Sequence, residues 1–213
     1  STEVIHAEQG QLDGVLPLLP IQSAMLHSSA NIHYYNQAVL LKSIEGIDIA
    51  TMQAAIDLVI KQHDGLRLRV SQDESGWQQY YSTESQAYNC TIERIACDGD
   101  ADTAALIEEH CQRMQSSLSL IAGPVMRVGH FTGLTDTSER VFIVIHHMMI
   151  DGVSWRILLH DLLAFYSVLQ KGAHVELRTK TSSYRQWAQA LKNYAGMAKT
   201  QSHHDYWLNT IDR

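Results

Sequence analysis

Five apolar residues in a row, Val141 to Ile145, run straight into His146-His147, and a helical repeat begins soon after. A run of this kind without polar alternation predicts a strand buried on both faces. From Trp155 onwards Leu158, Leu159, Leu162, Tyr166 and Leu169 recur at helical spacing, while Arg156, His160 and Ser167 line another side. That is the stripe of an amphipathic helix packed on a sheet. Upstream, Gln37 to Lys42 reads as a buried strand, and Ile49 to Gln62 sets Met52, Ala55, Ile56 and Val59 on one helical face. Leu66 to Val70 alternates Leu and Arg at period two, and Gly76-Trp77 opens a strand through Tyr81, so a hairpin is expected over Gln72 to Gly76. Ala101 to Leu118 predicts a helix, Val125 to Phe131 and Arg140 to Ile145 two strands with a turn between them. Ser183 to Ala195 and Gln201 to Leu208 predict closing helices, with Gly172 and the polar stretch Lys171 to Ser183 as connector. The elements add up to an α/β fold: a two-layer sandwich of mixed β-sheet with helices mainly on one face.

Composition adds exclusions. With 45% hydrophobic and 18% charged residues over 213 positions, the chain has enough apolar surface for one compact unit that buries roughly 70% of what it exposes unfolded. A net charge of -7 with 16 scattered Lys and Arg argues against a nucleic-acid partner, which needs clustered positive charge. Cys90, Cys97 and Cys111 are odd in number and form no CxxC pair, so neither a disulfide framework nor a structural zinc site is favoured, which suits a reducing cytoplasm. Ser1 to Gly10 lacks the basic-then-apolar pattern of a secretory signal. The aliphatic runs fall far short of the ~20 residues that cross a bilayer, so no membrane is expected and the chain reads as soluble.

Candidate chemistry concentrates at the strand's end. Successive strand residues face opposite sides, so His146 and His147 diverge and do not serve one site. His147, at the mouth of the strand-to-helix turn, is the better base, because an imidazole takes and returns a proton near neutral pH. Gly152 permits a tight turn beside it, and the helix that follows directs its dipole and free N–H groups to the same region, where an oxyanion would be stabilised. Ser154 is either the N-terminal cap of that helix or a polar contact to substrate. Asp151 is either a catalytic acid or, as we favour, a turn-holding carboxylate paired with a buried arginine, for which Arg67 and Arg69 are the candidates. Residue types alone leave three readings of His-His-x-x-x-Asp open: a catalytic site, a satisfied core pair, and a two-imidazole, one-carboxylate metal site, the last disfavoured by the diverging side chains. His203-His204 read as solvated helix residues and Trp77, Trp155, Trp187 and Trp207 as core or interface anchors.

The string His146-His147-x-x-x-Asp151-Gly152, continued by Val153-Ser154-Trp155-Arg156-Ile157-Leu158-Leu159, resembles the HHxxxDG core of the condensation-domain superfamily of nonribosomal peptide synthetases. Leu16-Pro17-Leu18-Leu19-Pro20-Ile21-Gln22 is similar to that family's first motif and His63-Asp64-Gly65-Leu66-Arg67 to its second, in the expected order and over nearly the whole chain. Asp151 to Leu159, Asn36-Gln37 and Lys180 to Ala188 resemble the epimerization branch more than the condensation branch, although Ser23-Ala24 stands where that branch usually has an aromatic pair.

The resemblance implies a chloramphenicol-acetyltransferase-like half-domain, with residues 1–213 as the N-terminal subdomain and the C-terminal subdomain, which bears a glutamate motif of the EGHGRE type, absent. It implies His147 as the catalytic histidine, His146 and Gly152 as support, Asp151 as a structural acid, and Arg67 as the ion-pair partner of Asp151. The implied partner is a peptidyl or acyl carrier protein that presents substrate on phosphopantetheine; no cofactor or metal is bound directly. An isolated half is expected to bind a pantetheine thioester weakly, to show no measurable epimerase turnover, and to self-associate through the exposed face between halves. A condensation half-domain and a non-catalytic carrier-docking module are the alternatives to an epimerization half.

Overall fold

The computed structural model describes residues 6–28, 31–84, 88–97, 102–197, 200 and 202–211. Ala101 and Gln201, where two helices are expected to begin, and the closing Asp212-Arg213 lie outside the described residues.

Two sheets organise the fold. In the first, β1 (Gly14–Leu16), β4 (Gly76–Tyr81) and β3 (Leu68–Asp73) pair antiparallel in the order β1-β4-β3. The expected hairpin joins β3 to β4 with Asp73 opposite Gly76, whose φ of 111° lies in the region that favours glycine. In the second, the order is β2-β7-β6-β5, from β2 (Asn36–Ser43), β7 (Glu139–His146), β6 (Met126–Thr132) and β5 (Ile92–Ala96). β7 is antiparallel to both neighbours, and β5 runs parallel to β6, so the sheet is mixed as expected.

The apolar run of β7 divides between two cores, as a strand buried on both faces must. Val141, Ile143 and Ile145 join Met52, Ile56 and Val59 of α2 (Ile49–Gln62) and Leu158, Leu162 and Phe165 of α4 (Gly152–Gln170). Phe142 and Val144 join Ile95, Phe131 and Met114, the last from α3 (Thr103–Ser116), on the opposite side. The two helices read from their apolar stripes thus share one face, and α3 covers the other. Gly129 on β6 makes room for the Met114 side chain of α3, whose methyl group a Cβ there would meet.

Local signals set the helix ends. Asp48 caps α2 by accepting the Thr51 N–H at 2.7 Å, and Ser183 and Gln186 form a reciprocal capping box on α5 (Tyr184–Ala195). The last helix, α6, runs His204–Ile211. Pro20 opens α1 (Pro20–Ser28), the position where proline's missing N–H costs nothing. The helix begins within what is expected from sequence only as a motif, and β1 and β5 are not among the expected elements. The period-two strand expected from Leu66 starts later, because a 3-10 turn occupies Asp64–Arg67 and β3 begins at Leu68. Among the described residues no helix is long and apolar enough to cross a membrane.

Candidate active site

His146 is the last residue of β7, opposite Asn36 of the edge strand β2. Beyond it the chain turns, with the Met149 N–H donating to the His146 carbonyl at 2.9 Å and the His147 N–H to the Tyr35 carbonyl at 2.8 Å. The two histidines are therefore pinned from β2 and from Tyr35 just before it, yet their rings meet opposite fates.

His146 is fully buried. Its Nδ1 accepts the Met148 N–H at 3.1 Å, so Nε2 carries the proton and donates to the Ile32 carbonyl at 2.7 Å. Burial depresses the imidazole from 6.5 to about 4, which keeps it neutral as a structural group. His147 is half-buried and stacks on Tyr35 with centroids 4.7 Å apart and planes 21° from parallel. The Ile150 carbonyl, 2.7 Å from Nδ1, can only accept, so Nδ1 bears the proton and Nε2 the lone pair. Gln37 Nε2 lies 3.1 Å from that lone pair, and Gln37 Oε1 accepts the Trp155 indole N–H at 3.0 Å. One nitrogen is thus anchored as a donor, and the other is a base whose lone pair is held by the Gln37 N–H. Beyond their places in a strand, a helix and family-like phrases, and Trp155's as an anchor, Gln37 and Trp155 carry no role at the site expected from sequence, and Tyr35 none at all. The signal that could have found Gln37 is a polar side chain at the strand end paired with the histidine strand.

Asp151 departs from the sequence expectation. Its Oδ1 accepts the Val153 N–H at 3.0 Å, the Ser154 N–H at 2.7 Å and the Ser154 hydroxyl at 2.7 Å, making Asp151 the N-cap of α4. These bonds, the Ser154 hydroxyl foremost, hold its carboxyl below the usual range. Ser154 is accordingly not the cap but a donor to it. The helix N-terminus is also not an open oxyanion site, because the anion it holds is Asp151's own carboxylate.

Nor is Arg67 the partner of Asp151. The guanidinium, 2% exposed, forms an ion pair with Asp64 and donates to the carbonyls of Ser82 at 2.7 Å and Leu12 at 2.8 Å. Asp64 in turn accepts Lys180 Nζ at 2.6 Å. The 3-10 turn explains the choice: it places Asp64 three residues before Arg67, within reach without any help from the chain beyond. Gly152, finally, does not supply a special backbone conformation; its φ is not left-handed, and a Cβ built there meets nothing within 4 Å.

Alongside lies a cavity of about 470 Å³ lined by Ile150, Ser154, Ile157, Asp161, His63 and Lys180 among others; His147 is not part of its lining. Asp161 in its wall is buried and paired with His63 at 2.9 Å and with Arg178. Among the described residues no three His, Cys, Asp or Glu side chains converge as metal ligands.

Residues 13–213 match the family model described as the condensation domain. The chain belongs to the condensation-domain family. It is 38% identical to a linear gramicidin synthase of Brevibacillus parabrevis over 206 residues, which cover 96% of this chain and 4% of that protein. It is 35% identical to tyrocidine synthase 1 of the same organism over 204 residues, covering 94% and 18%. Among solved structures, the epimerization domain from the third module of tyrocidine synthetase B superposes with a TM-score of 0.88 at 30% identity, covering 98% of this chain and 46% of that one. The starter condensation domain of rhizomide synthetase has the same fold, with a TM-score of 0.76 at 20% identity over 92% of this chain and 48% of its own. This condensation-family chain thus spans under half of either solved domain and a small part of the synthetases.

Proposed function

We propose that this chain forms one wall of an epimerization domain of a nonribosomal peptide synthetase and that His147 is a proton-transfer group at the Cα of a carrier-bound aminoacyl or peptidyl thioester. The observation that carries the reading is the set tautomer of His147, whose unprotonated Nε2 is the atom that would take the proton once substrate displaces the Gln37 N–H. Likeness to a solved epimerization domain supports the branch. A thioester suits the chemistry, because sulfur conjugates poorly with the carbonyl, which then accepts enolate charge more readily than an oxygen ester. Inversion requires acid/base groups on opposite faces, since a single base returns the proton where it took it. The second group belongs to a second half of the domain, and the substrate to the phosphopantetheine of a carrier protein. Exposed Val153 and Ile157 on the first turns of α4 are apolar surface for such a half, or for self-association.

A condensation half is the second reading, favoured by the family description itself. There the same lone pair assists the acceptor amine as it attacks a donor thioester. The test is incubation of the chain with an aminoacyl thioester on its carrier protein in D2O, read by intact mass and by the configuration of the released amino acid. His147-dependent Cα deuterium uptake without inversion is expected. Racemisation by these residues alone, abolished by His147→Ala, would refute the two-wall reading. Uptake unaffected by His147→Ala would refute His147 as the base, and peptide-bond formation without exchange would favour condensation.

A further inference from the structure

Four groups from three separate elements form one hydrogen-bonded chain: the Trp155 indole in the first turn of α4, the Gln37 amide on β2, the His147 ring and the Ile150 carbonyl in the turn after β7. Its two ends are chemically one-way. An indole N–H only donates, and a backbone carbonyl only accepts. Gln37 must therefore present its oxygen to Trp155, at 3.0 Å, and its nitrogen to His147, at 3.1 Å. His147 must keep its proton on Nδ1, where Ile150 waits at 2.7 Å.

Every other arrangement of the neutral ring fails twice. Moving the ring proton to Nε2 sets it against the Gln37 N–H and leaves the Nδ1 lone pair facing the Ile150 oxygen. Flipping the amide turns its nitrogen to the Trp155 N–H and its oxygen to the His147 lone pair. Each mismatch leaves a half-buried polar group unsatisfied. The chain's outer members are themselves held: Gln37 is paired in register with Ile145 of β7, and Trp155 is 8% exposed within the main core. Tyr35 closes one face of the ring.

We infer that Gln37, oriented by Trp155, is a positioning residue for His147, fixing which ring nitrogen is bare and where its lone pair points. The inference rests on the reading of His147 as the proton-transfer group, yet its direct test does not. A base whose tautomer is set before substrate arrives needs no proton shift within the ring at the moment of transfer, and only the Gln37 N–H has to give up the lone pair.

The test uses the 213-residue chain labelled with ¹⁵N-histidine, its imidazole ¹⁵N–¹H correlations recorded at mildly alkaline pH, with His147→Asn identifying the resonances. The parent chain is expected to show a protonated Nδ1 and a bare, hydrogen-bonded Nε2 at His147. Gln37→Glu, the same shape with a carboxylate oxygen in place of the amide nitrogen, is expected to add a proton at Nε2 while Nδ1 keeps its own, so that the ring is charged. Gln37→Leu is expected to shift the bare Nε2 resonance downfield as its hydrogen bond is lost. Trp155→Phe, which frees the amide to flip and withdraw its N–H, is expected to shift the same resonance downfield. Melting temperatures run alongside, and Gln37→Glu carries the test if either apolar variant fails to fold. If His147 signals stay unchanged in the folded variants while only stability falls, Gln37 merely ties β2 to α4 and the inference is overturned.

In the deuterium-uptake assay, Gln37→Leu and Trp155→Phe are each expected to lower His147-dependent uptake by about 10²-fold, the scale of a misplaced catalytic group. A parent chain that takes up no deuterium would overturn the proton-transfer reading while the spectra still decide the role of Gln37.

Discussion

The partner of Arg67 is the sharpest difference between resemblance and structure, and stability measurements separate the two. The resemblance pairs Arg67 with Asp151; the structure pairs it with Asp64. In Asp64→Ala the buried guanidinium keeps the Ser82 and Leu12 carbonyls but loses its counter-charge. Lys180 loses its carboxylate as well, and the Leu12 N–H loses its acceptor at 3.3 Å. Breaking a buried pair by removing one member costs about 3–5 kcal/mol, because an uncompensated charge is left inside. Asp151→Ala removes an exposed helix cap, worth about 1 kcal/mol. The difference is therefore about 2–4 kcal/mol in favour of Asp64. At about 2–4 °C per kcal/mol for a chain of this size, Asp64→Ala is expected to melt about 10 °C lower and Asp151→Ala about 3 °C lower. Urea titrations with unchanged m-values give the free energies directly. Pairing each substitution with Arg67→Met then completes two double-mutant cycles, with strong coupling expected for Asp64 and additivity within about 0.5 kcal/mol for Asp151. If Asp151→Ala costs as much as Asp64→Ala, or couples to Arg67 by more than that margin, the structural assignment is wrong.

Two further predictions concern the string from His146 to Gly152 itself. Because burial lowers the His146 pKa to about 4, the folded state leaves this ring neutral while the unfolded chain protonates it below 6.5. Its contribution to stability is thus complete above pH 6.5 and is lost as pH falls towards 4, by about 3 kcal/mol at most. Urea stability of the parent minus that of His146→Gln is expected to decline across this window; a flat difference would contradict it. Gly152→Ala is expected to leave stability unchanged or raise it by up to about 1 kcal/mol, since its φ is ordinary and the added methyl meets open space. A lowered melting temperature would restore the tight-turn role, whereas lost deuterium uptake at full stability would mean that the missing Cβ clears a path for substrate.

Much of this site was legible. That His146 and His147 face different ways follows from strand geometry, and the structure buries one ring fully and leaves the other half-open. Alternation says only that the rings diverge; that His147 is the more open one goes with its place in the turn beyond the strand. What misleads at Asp151 is the expectation of a buried arginine partner from a distant strand, reinforced by the family pattern, while the nearer partner of Arg67 stands three residues upstream in Asp64. An acid and a base three apart on a helical turn are neighbours, and that signal is present in His63-Asp64-Gly65-Leu66-Arg67. The open oxyanion site fails for a related reason: an Asp just before a helix caps that helix, and so occupies the N–H groups it was expected to leave free.

By itself the sequence determined what short-range physics controls. Helix α2 begins and ends at Ile49 and Gln62 as its apolar stripe requires, and the run Val141 to Ile145 is buried on both faces. Only the tertiary structure decided the company His147 keeps. Gln37 lies 110 residues from His147 and 118 from Trp155, and no periodicity encodes which polar group meets which across such separations. Those meetings depend on the register of β2 against β7 and on how α4 leaves the turn, so a hydrogen-bonded chain of directional groups exists only once the apolar packing has set both.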